Sequence, residues 1–329
     1  MATLFDAYLM VDWSASSRPK HGKDSIWYCL RERKDKGSSV REDICLLANP
    51  LTRQQAITEI ESILAGLAAV RRRVLVGFDF PFGYPRGLCE ALGLEAERGQ
   101  MWRAIWREWT RIVGDEPDNR NSRFGAAAAL NERLPPPPGP FWGQPTGCPV
   151  VGVSSKKPVW NKLAERRLVE TLVPTTQPVW KLAGVGSVGS QALLGIPRLE
   201  HLRSHPGLAA MSRVWPFEWE AQTKKALLKH QLLVLYVEIY PSLISGRQGC
   251  EIDASARLAA GAVTDPPVVL AEGKNIKDAA QMYAAARFFR TADKNGELEA
   301  LLDQPLKLPE EQRRAVIEEE GWILGVGGT

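Results

Sequence analysis

The sequence predicts an α/β fold in which a mixed β-sheet is interrupted by a large insertion. Short apolar runs of strand length come first, and an amphipathic helical pattern lies among them. A long section rich in proline and glycine follows. The strongest apolar run of the chain comes after that section and precedes further helical patterns. Strands on both sides of the insertion therefore belong to one sheet.

Composition bounds the class of protein. A chain of 329 residues holds one large or two small domains. Its 44% hydrophobic and 24% charged residues exclude a disordered, collagenous or coiled-coil chain. A net charge of +4 is too small for a sequence-independent nucleic-acid coat. We see no apolar run of membrane-spanning length and no signal-peptide pattern. Five scattered cysteines favour free thiols in a reducing cytoplasm.

The first three predicted strands form an antiparallel meander. They cover Ala7–Asp12, Ser25–Arg31 and Asp43–Leu47. Turns rich in Ser, Gly, Lys and Pro separate them, which is the pattern of strands joined by hairpin connections. The first strand is apolar until it ends in an acid, so we expect it to be buried.

A crossover helix and a fourth strand follow the meander. Thr52 is a suitable N-cap, and apolar residues then recur at helical spacing up to Leu67. The run Val74–Asp79 is again an apolar strand that ends in an acid. Pro81 and Pro85 prevent regular structure beyond it.

The insertion covers 84–229, and the core resumes at 230–329 after its first part at 1–83. Gln231–Tyr240 is apolar on both faces, so it should be a central strand. Helices are predicted over Asn275–Thr291 and from about Glu310 to Glu320. Three antiparallel strands, a crossover helix and further parallel strands are the order of the ribonuclease-H-like fold. We expect the insertion to lie over the carboxyl ends of the strands and to narrow access to Asp12.

Four acids are candidate catalytic and metal-binding residues. Asp12, Asp79 and Glu238 lie at or near strand ends, and Asp278 opens the late helix. Carboxylates that meet at one sheet edge repel each other, so they become protonated or bind a cation. Mg²⁺ and Mn²⁺ prefer oxygen ligands, and two such ions promote phosphodiester hydrolysis. Each acid also has a structural alternative in a turn or a helix first turn. Competing acids in a loop-like stretch are Glu251, Asp253 and Asp265.

A glycine-rich loop in the insertion is a candidate cofactor-binding element. Gly184, Gly186, Ser187 and Gly189 lie in a G-x-G-x-x-G match that precedes a predicted helix. The alternatives are a dinucleotide site, another phosphate contact and a tight structural loop. No acid lies about 20 residues further on, which disfavours the dinucleotide site.

Other patterns in the insertion have a structural and a functional interpretation. Tryptophans and arginines at helical spacing suit nucleic-acid binding, but they also suit an amphipathic helix that buries its tryptophans, which we favour. These residues are Trp102, Trp106 and Trp109 with Arg103, Arg107 and Arg111. His201 and His205 are spaced for a metal on a helix but lack an evident third ligand. We interpret a basic stretch as a solvated helix face: Lys156, Lys157, Lys162, Arg166 and Arg167.

Several segments resemble a known family. They are YLMVDWSAS (8–16), VLVGFDFPFGYP (74–85), KLAGVGSVGSQALLGIPRLEHLR (181–203), RVWPFEW (213–219), VEIYPSL (237–243) and KDAAQMYAAARFF (277–289). Together they resemble the domain-of-unknown-function family 429, a group of predicted ribonuclease-H-like nucleases, from about residue 8 to 326. The resemblance implies a ribonuclease-H-like core with its site at Asp12, Asp79, Glu238 and Asp278.

These observations lead to three hypotheses for the function. The first is a metal-dependent phosphodiester hydrolase, using Mg²⁺ or Mn²⁺, that acts on nucleic acid or a nucleotide-containing substrate. The second is a nucleotide-binding phosphotransferase on the related actin-like core, although the turn after Asp12 lacks a glycine. The third is a binding protein with a decayed site. If the four candidate acids lie together, the hydrolase hypothesis is favoured. A cleft beside Gly184–Gly189 would favour the phosphotransferase hypothesis.

Overall fold

The computed structural model describes residues 3–33, 44–134, 139–145, 147, 149–159, 162–247 and 276–327. Some residues named above lie outside these ranges: the competing acids Glu251, Asp253 and Asp265, and the predicted element ends Asp43 and Asn275. No helix within the described ranges combines the length and the apolar character needed to cross a membrane.

Six strands form one mixed sheet. They are β1 (Ala7–Asp12), β2 (Trp27–Glu32), β3 (Ile44–Ala48), β4 (Val74–Phe78), β5 (Ser212–Val214) and β6 (Val234–Glu238). Their order in the sheet is β3-β2-β1-β4-β6-β5. The first three strands are antiparallel, and β1, β4, β6 and β5 run parallel. The predicted mixed sheet and its meander are thus confirmed.

The strand predicted after the insertion occupies an interior position. All five residues of β6 are buried, and the strand has partners on both sides, β4 and β5. Sequence analysis did not predict β5, because a three-residue strand with Arg213 at its middle carries too little periodicity. Since β5 lies within 84–229, the insertion itself supplies the edge strand of the sheet.

Helices flank the sheet. Before β6 they are α1 (Arg53–Ala69), α2 (Leu88–Ala91), α3 (Met101–Ile112), α4 (Arg123–Arg133), α5 (Leu168–Leu172), α6 (Gly189–Ser204) and α7 (Ala221–Leu228). After β6 they are α8 (Pro241–Arg247), α9 (Lys277–Lys294), α10 (Leu298–Leu302) and α11 (Glu310–Ala315), which continues as a π-helical turn over Val316–Glu320. The predicted cap of α1 is confirmed, since the Thr52 side chain accepts a hydrogen bond from Gln55 N.

Each side of the sheet packs against its own apolar core. Leu9 and Val11 pack into the core that contains residues of α1, α3 and α6. Tyr8 and Met10 pack into the core that contains residues of α9, α10 and the C-terminal segment. This alternation follows from the two-residue period of a strand. It also determines which face receives each acid at a strand end.

The segment after β4 is docked on the C-terminal π-helical turn. A Cβ on Gly83 would lie 2.2 Å from the Glu319 carbonyl oxygen and 2.5 Å from the Glu320 carbonyl carbon. Tyr84 N donates a hydrogen bond to that same Glu319 oxygen. The glycine of the Asp-Phe-Pro-Phe-Gly-Tyr-Pro motif therefore allows two backbone segments to approach each other.

We expect Gly83→Ala to lower the free energy of unfolding by about 1–3 kcal/mol, because the added methyl collides with backbone that cannot turn away. Gly66→Ala is the matched control, since Gly66 is exposed in α1 and a Cβ there meets nothing within 4 Å. That variant should gain stability, as alanine does in a helix. Urea unfolding of both variants measures the difference. Equal stabilities would contradict the close approach.

Candidate active site

The register of β1 and β4 places two aspartates side by side at the carboxyl edge of the sheet. Val11 pairs with Phe78, and Asp79 N donates to the Val11 carbonyl at 3.2 Å. The next residue along β1 is Asp12. Because Val11 and Phe78 both pack into the core of α1, α3 and α6, strand alternation directs Asp12 and Asp79 to the opposite face.

Asp12 and Asp79 form a carboxyl pair in which the pKa of each acid is raised. Their side chains are close enough to share a hydrogen bond, and Trp13 N donates to Asp79 Oδ1 at 2.8 Å. Burial raises the pKa of Asp79 to about 6, although the bonds from Trp13 and Asp12 oppose this rise. Burial and then the charge of Asp79 raise the pKa of Asp12 well above its usual range.

Two further aspartates complete an aspartate cluster of Asp12, Asp24, Asp79 and Asp278. Asp278 lies in the first turn of α9, and its Oδ2 accepts a hydrogen bond from Asp24 N at 2.7 Å. The charges of both residues contribute to the raised pKa of Asp12. In the described ranges no ion pair joins Asp12, Asp79 or Asp278 to a basic side chain. Among the described residues, Asp12, Asp79 and Asp278 therefore lack a basic partner, whereas Asp24 Oδ2 pairs with Lys20 Nζ at 3.7 Å.

Glu238 does not join the aspartate cluster, in contrast to the prediction. It follows Val237, which packs into the core of α9, so alternation directs Glu238 to the other face of the sheet. There Arg167 Nη2 donates to Glu238 Oε1 at 2.6 Å, and Phe82 N donates to Oε2 at 2.9 Å. Both partners of the ion pair are almost fully buried. Glu238 is thus a structural residue in this arrangement.

Arg167 also departs from the expectation of a solvated basic stretch. Its side chain is only 1% exposed and binds Glu170 as well as Glu238. Arg167 Nη1 donates to the Glu320 carbonyl at 3.0 Å. This arginine therefore ties the insertion to β6 and to the C-terminal π-helical turn.

The glycine-rich loop uses part of its backbone internally. Ser187 N donates to Gly184 O, and Gly189 N donates to Lys181 O. A Cβ on Gly189 would lie 2.4 Å from the Val179 carbonyl oxygen, so this glycine permits close packing. These contacts favour the tight structural loop among the three interpretations, while Gly184 and Gly186 remain exposed candidates.

The insertion lies against the loop that follows Asp12, here called the β1 loop (residues 13–18). Gln191 Nε2, in the first turn of α6, donates to the Trp13 carbonyl at 2.6 Å. Asn119 Nδ2 donates to the Arg18 carbonyl at 3.2 Å. The expected position of the insertion beside the Asp12 edge agrees with these contacts.

The aromatic helix of the insertion has the amphipathic form that we favoured. Trp102, Trp106 and Trp109 are buried in α3, while Arg107 and Arg111 are exposed. His201 Nε2 lies 2.5 Å from Glu61 Oε1 on the surface, so it makes an ordinary polar contact. Within the described residues, Cys29, Cys45 and Cys89 form no disulfide, and Cys29 Sγ lies 3.7 Å from Cys45 Sγ in a hydrogen bond.

The aspartate cluster has the donor chemistry of a magnesium or manganese site but is not arranged as one. In the described part of the chain, no group of three or more His, Cys, Asp and Glu side chains is placed to hold a metal ion. Asp12 and Asp79 supply hard oxygen donors without a neutralising partner, which fits these cations. The Asp278 carboxylate instead faces Asp24 N. A cation at the pair would need Asp278 to turn toward it.

The raised pKa of Asp79 predicts a pH dependence of stability. Between about pH 4 and pH 6 the folded chain holds a proton that the unfolded chain has lost, so the free energy of unfolding falls as pH rises. The fall is at most about 1.4 kcal/mol per pH unit for one proton. We expect a smaller fall in Asp79→Asn, because burial alone still raises the pKa of Asp12. Denaturant unfolding of both proteins across this range provides the measurement.

Asp118→Asn is the control for that titration. Arg120 lowers the pKa of this exposed carboxyl, so its effect on stability has the opposite sign. A fall between about pH 4 and pH 6 that is as large in Asp79→Asn as in the wild type would contradict the raised pKa of Asp79.

Comparisons with known proteins identify no relative of this chain. The chain matches no protein-family model, no curated protein and no solved structure. The resemblance to the domain-of-unknown-function family 429 therefore stays a prediction, carried by the segments quoted above.

Proposed function

We propose that the chain has a ribonuclease-H-like core and acts as a metal-dependent phosphodiester hydrolase on nucleic acid or a nucleotide-containing substrate. The strand order β3-β2-β1-β4-β6 supports the core, because an antiparallel meander continues into parallel strands through the crossover helix α1. The observation that carries the function is the Asp12–Asp79 pair at the carboxyl edge, since ligands of open α/β sheets bind at that edge.

Asp12 and Asp79 would hold the cation, and Asp278 would complete the oxygen ligands. Mg²⁺ or Mn²⁺ supplies charge neutralisation at the phosphate and lowers the pKa of a bound water. Trp13 N orients Asp79 through its hydrogen bond to Oδ1. Asp278 Oδ2 accepts a hydrogen bond from Asp24 N at 2.7 Å, so Asp278 would have to turn away from this bond to reach the cation.

Proton release couples the cation to the pair. Because Asp79 has a pKa of about 6 and Asp12 titrates well above its usual range, a cation must displace the shared proton. Metal affinity should therefore rise with pH through this range. Since the cation relieves repulsion between carboxylates, its binding stabilises the fold.

The test combines thermal melting with cleavage. We expect Mn²⁺ and Mg²⁺ to raise the melting temperature of the full chain. Ca²⁺, which has the same charge, is the comparison cation. Cleavage is assayed on single-stranded, duplex and RNA–DNA hybrid oligonucleotides and on a dinucleotide. If neither cation raises the melting temperature and no substrate is cleaved, the hydrolase proposal is wrong and the binding-protein hypothesis takes its place.

A further inference from the structure

An arginine cluster lies on the insertion side of the β1 loop. It consists of Arg53, Arg123 and Arg198 around one carboxylate, Asp115. Arg53 Nε lies 3.0 Å from both oxygens of Asp115, and Arg198 Nη2 lies 2.9 Å from Oδ2. Arg53, from α1, and Arg198 thus share one carboxylate, and the charges of both Arg53 and Asp115 act on Arg123. The three arginines outnumber this carboxylate.

Two of the three arginines have structural partners for their charge. Besides Asp115, Arg53 Nη1 donates to the carbonyls of Ser14 and Ser16 at 3.0 and 2.7 Å. Arg198 shares the Asp115 carboxylate and also donates to Gln54 Oε1. Arg53 therefore fixes the path of the β1 loop directly after Asp12. Asp115 is therefore the counterion of both Arg53 and Arg198.

Arg123 is the member whose hydrogen-bond partners are all neutral. Nη1 donates to Ser17 Oγ at 2.9 Å and to Asn121 Oδ1 at 2.6 Å. Nε donates to Ser190 Oγ at 3.0 Å. Burial and the charge of Arg53 lower the pKa of Arg123 to about 10. A cation in this position is costly unless an anion offsets it.

We propose that Arg123 and Ser17 form a phosphate subsite that binds the backbone of the substrate at the β1 loop, which follows Asp12. Gln191, the residue after Ser190, donates to the carbonyl of Trp13, so the subsite adjoins the residue that follows Asp12. Since Nη1 and Nε of the Arg123 guanidinium fork are already held by serine and asparagine oxygens, Nη2 would donate to a phosphate oxygen, and the hydroxyl of the exposed Ser17 would add a second donor. The inference rests on the proposed function and adds the substrate group that the insertion recognises.

The test measures binding without catalysis. In EDTA, a short single-stranded oligonucleotide should bind the wild type, and Arg123→Gln should weaken that binding by about tenfold or more. The slope of log K against log salt should fall by about one. Arg123→Lys keeps the charge but not the fork, and it should recover part of the affinity. Inorganic phosphate should raise the melting temperature of the wild type but not that of Arg123→Gln.

Controls separate this inference from the hydrolase proposal. Arg120→Gln removes an exposed arginine three residues before Arg123. This variant should bind the oligonucleotide as the wild type does. The melting shift is measured within each variant, so it remains informative if Arg123→Gln is less stable. If Arg123→Gln binds the oligonucleotide with the same affinity and salt slope as the wild type, the subsite proposal is wrong. This holds even if Mn²⁺-dependent cleavage is found. Binding that depends on Arg123 without any cleavage would support the subsite and contradict the hydrolase.

Discussion

Asp12→Asn should abolish both the Mn²⁺-induced rise in melting temperature and phosphodiester cleavage. Loss of a residue that merely supports a metal ligand costs about 10–100-fold, so loss of a carboxylate of the central pair should reduce cleavage by more than about 100-fold. The metal-free variant should be as stable as the wild type or more stable, because one of several crowded acids is gone. Melting curves and oligonucleotide cleavage with and without Mn²⁺ measure both effects.

Glu238→Gln is the informative comparison for that variant. It also converts an acid at a strand end to an amide, but its carboxylate is held by Arg167 on the other face of the sheet. We expect a lower melting temperature in the absence of metal and an unchanged Mn²⁺ increment. If Asp12→Asn keeps the full increment, or if Glu238→Gln loses it, the assignment of the site to the aspartate cluster is wrong.

Sequence patterns predicted the sheet because its strands are strongly apolar. The runs that became β1, β4 and β6 are buried along nearly their whole length, so their hydrophobicity alone distinguishes them. Neighbours within the meander follow from connections that are rich in turn residues and contain no predicted helix, which favours antiparallel pairing. The edge strand β5 has neither property, and its pairing with β6 depends on the path of the insertion.

The membership of the site depends on strand register, which the sequence does not display. Asp12, Asp79 and Glu238 all end apolar runs, yet a shift of one residue directs a side chain to the other face. The pairing of Phe78 with both Val11 and Glu238 shows that Ile239, not Glu238, follows the register of Asp12 and Asp79. Counting residues along the sequence cannot assign that register, because the packing of the strands in the folded chain determines it.

Asp24 and Arg167 were missed for a related reason. Asp24 belongs to the connection between β1 and β2, and only the return of the chain to Trp27 opposite Asp12 brings it near the cluster. Arg167 stands in a basic stretch that is typical of an exposed surface. Its burial depends on Glu170 and Glu238, and Glu238 is distant in sequence.

Arg167→Met should cost about 3–5 kcal/mol in the free energy of unfolding, which is the range for breaking a buried ion pair by removing one partner. Methionine fills similar space but leaves the carboxylates of Glu170 and Glu238 without their cation. Those carboxylates would take up protons, so the loss should be smaller at about pH 5 than at about pH 8. Denaturant unfolding at both pH values measures the loss and its sign.

A double-mutant cycle identifies the charge as the cause. Arg167→Met combined with Glu238→Gln should lose less than the sum of the two single variants, because an amide needs no counterion; a coupling of about 0.5–3 kcal/mol is expected for groups in contact. Arg120→Met, at an exposed ion pair, should change stability little. Additive losses in the cycle, together with no pH dependence in Arg167→Met, would mean that the side chain stabilises the fold through packing. The link from the insertion to β6 would then rest on volume and apolar contact.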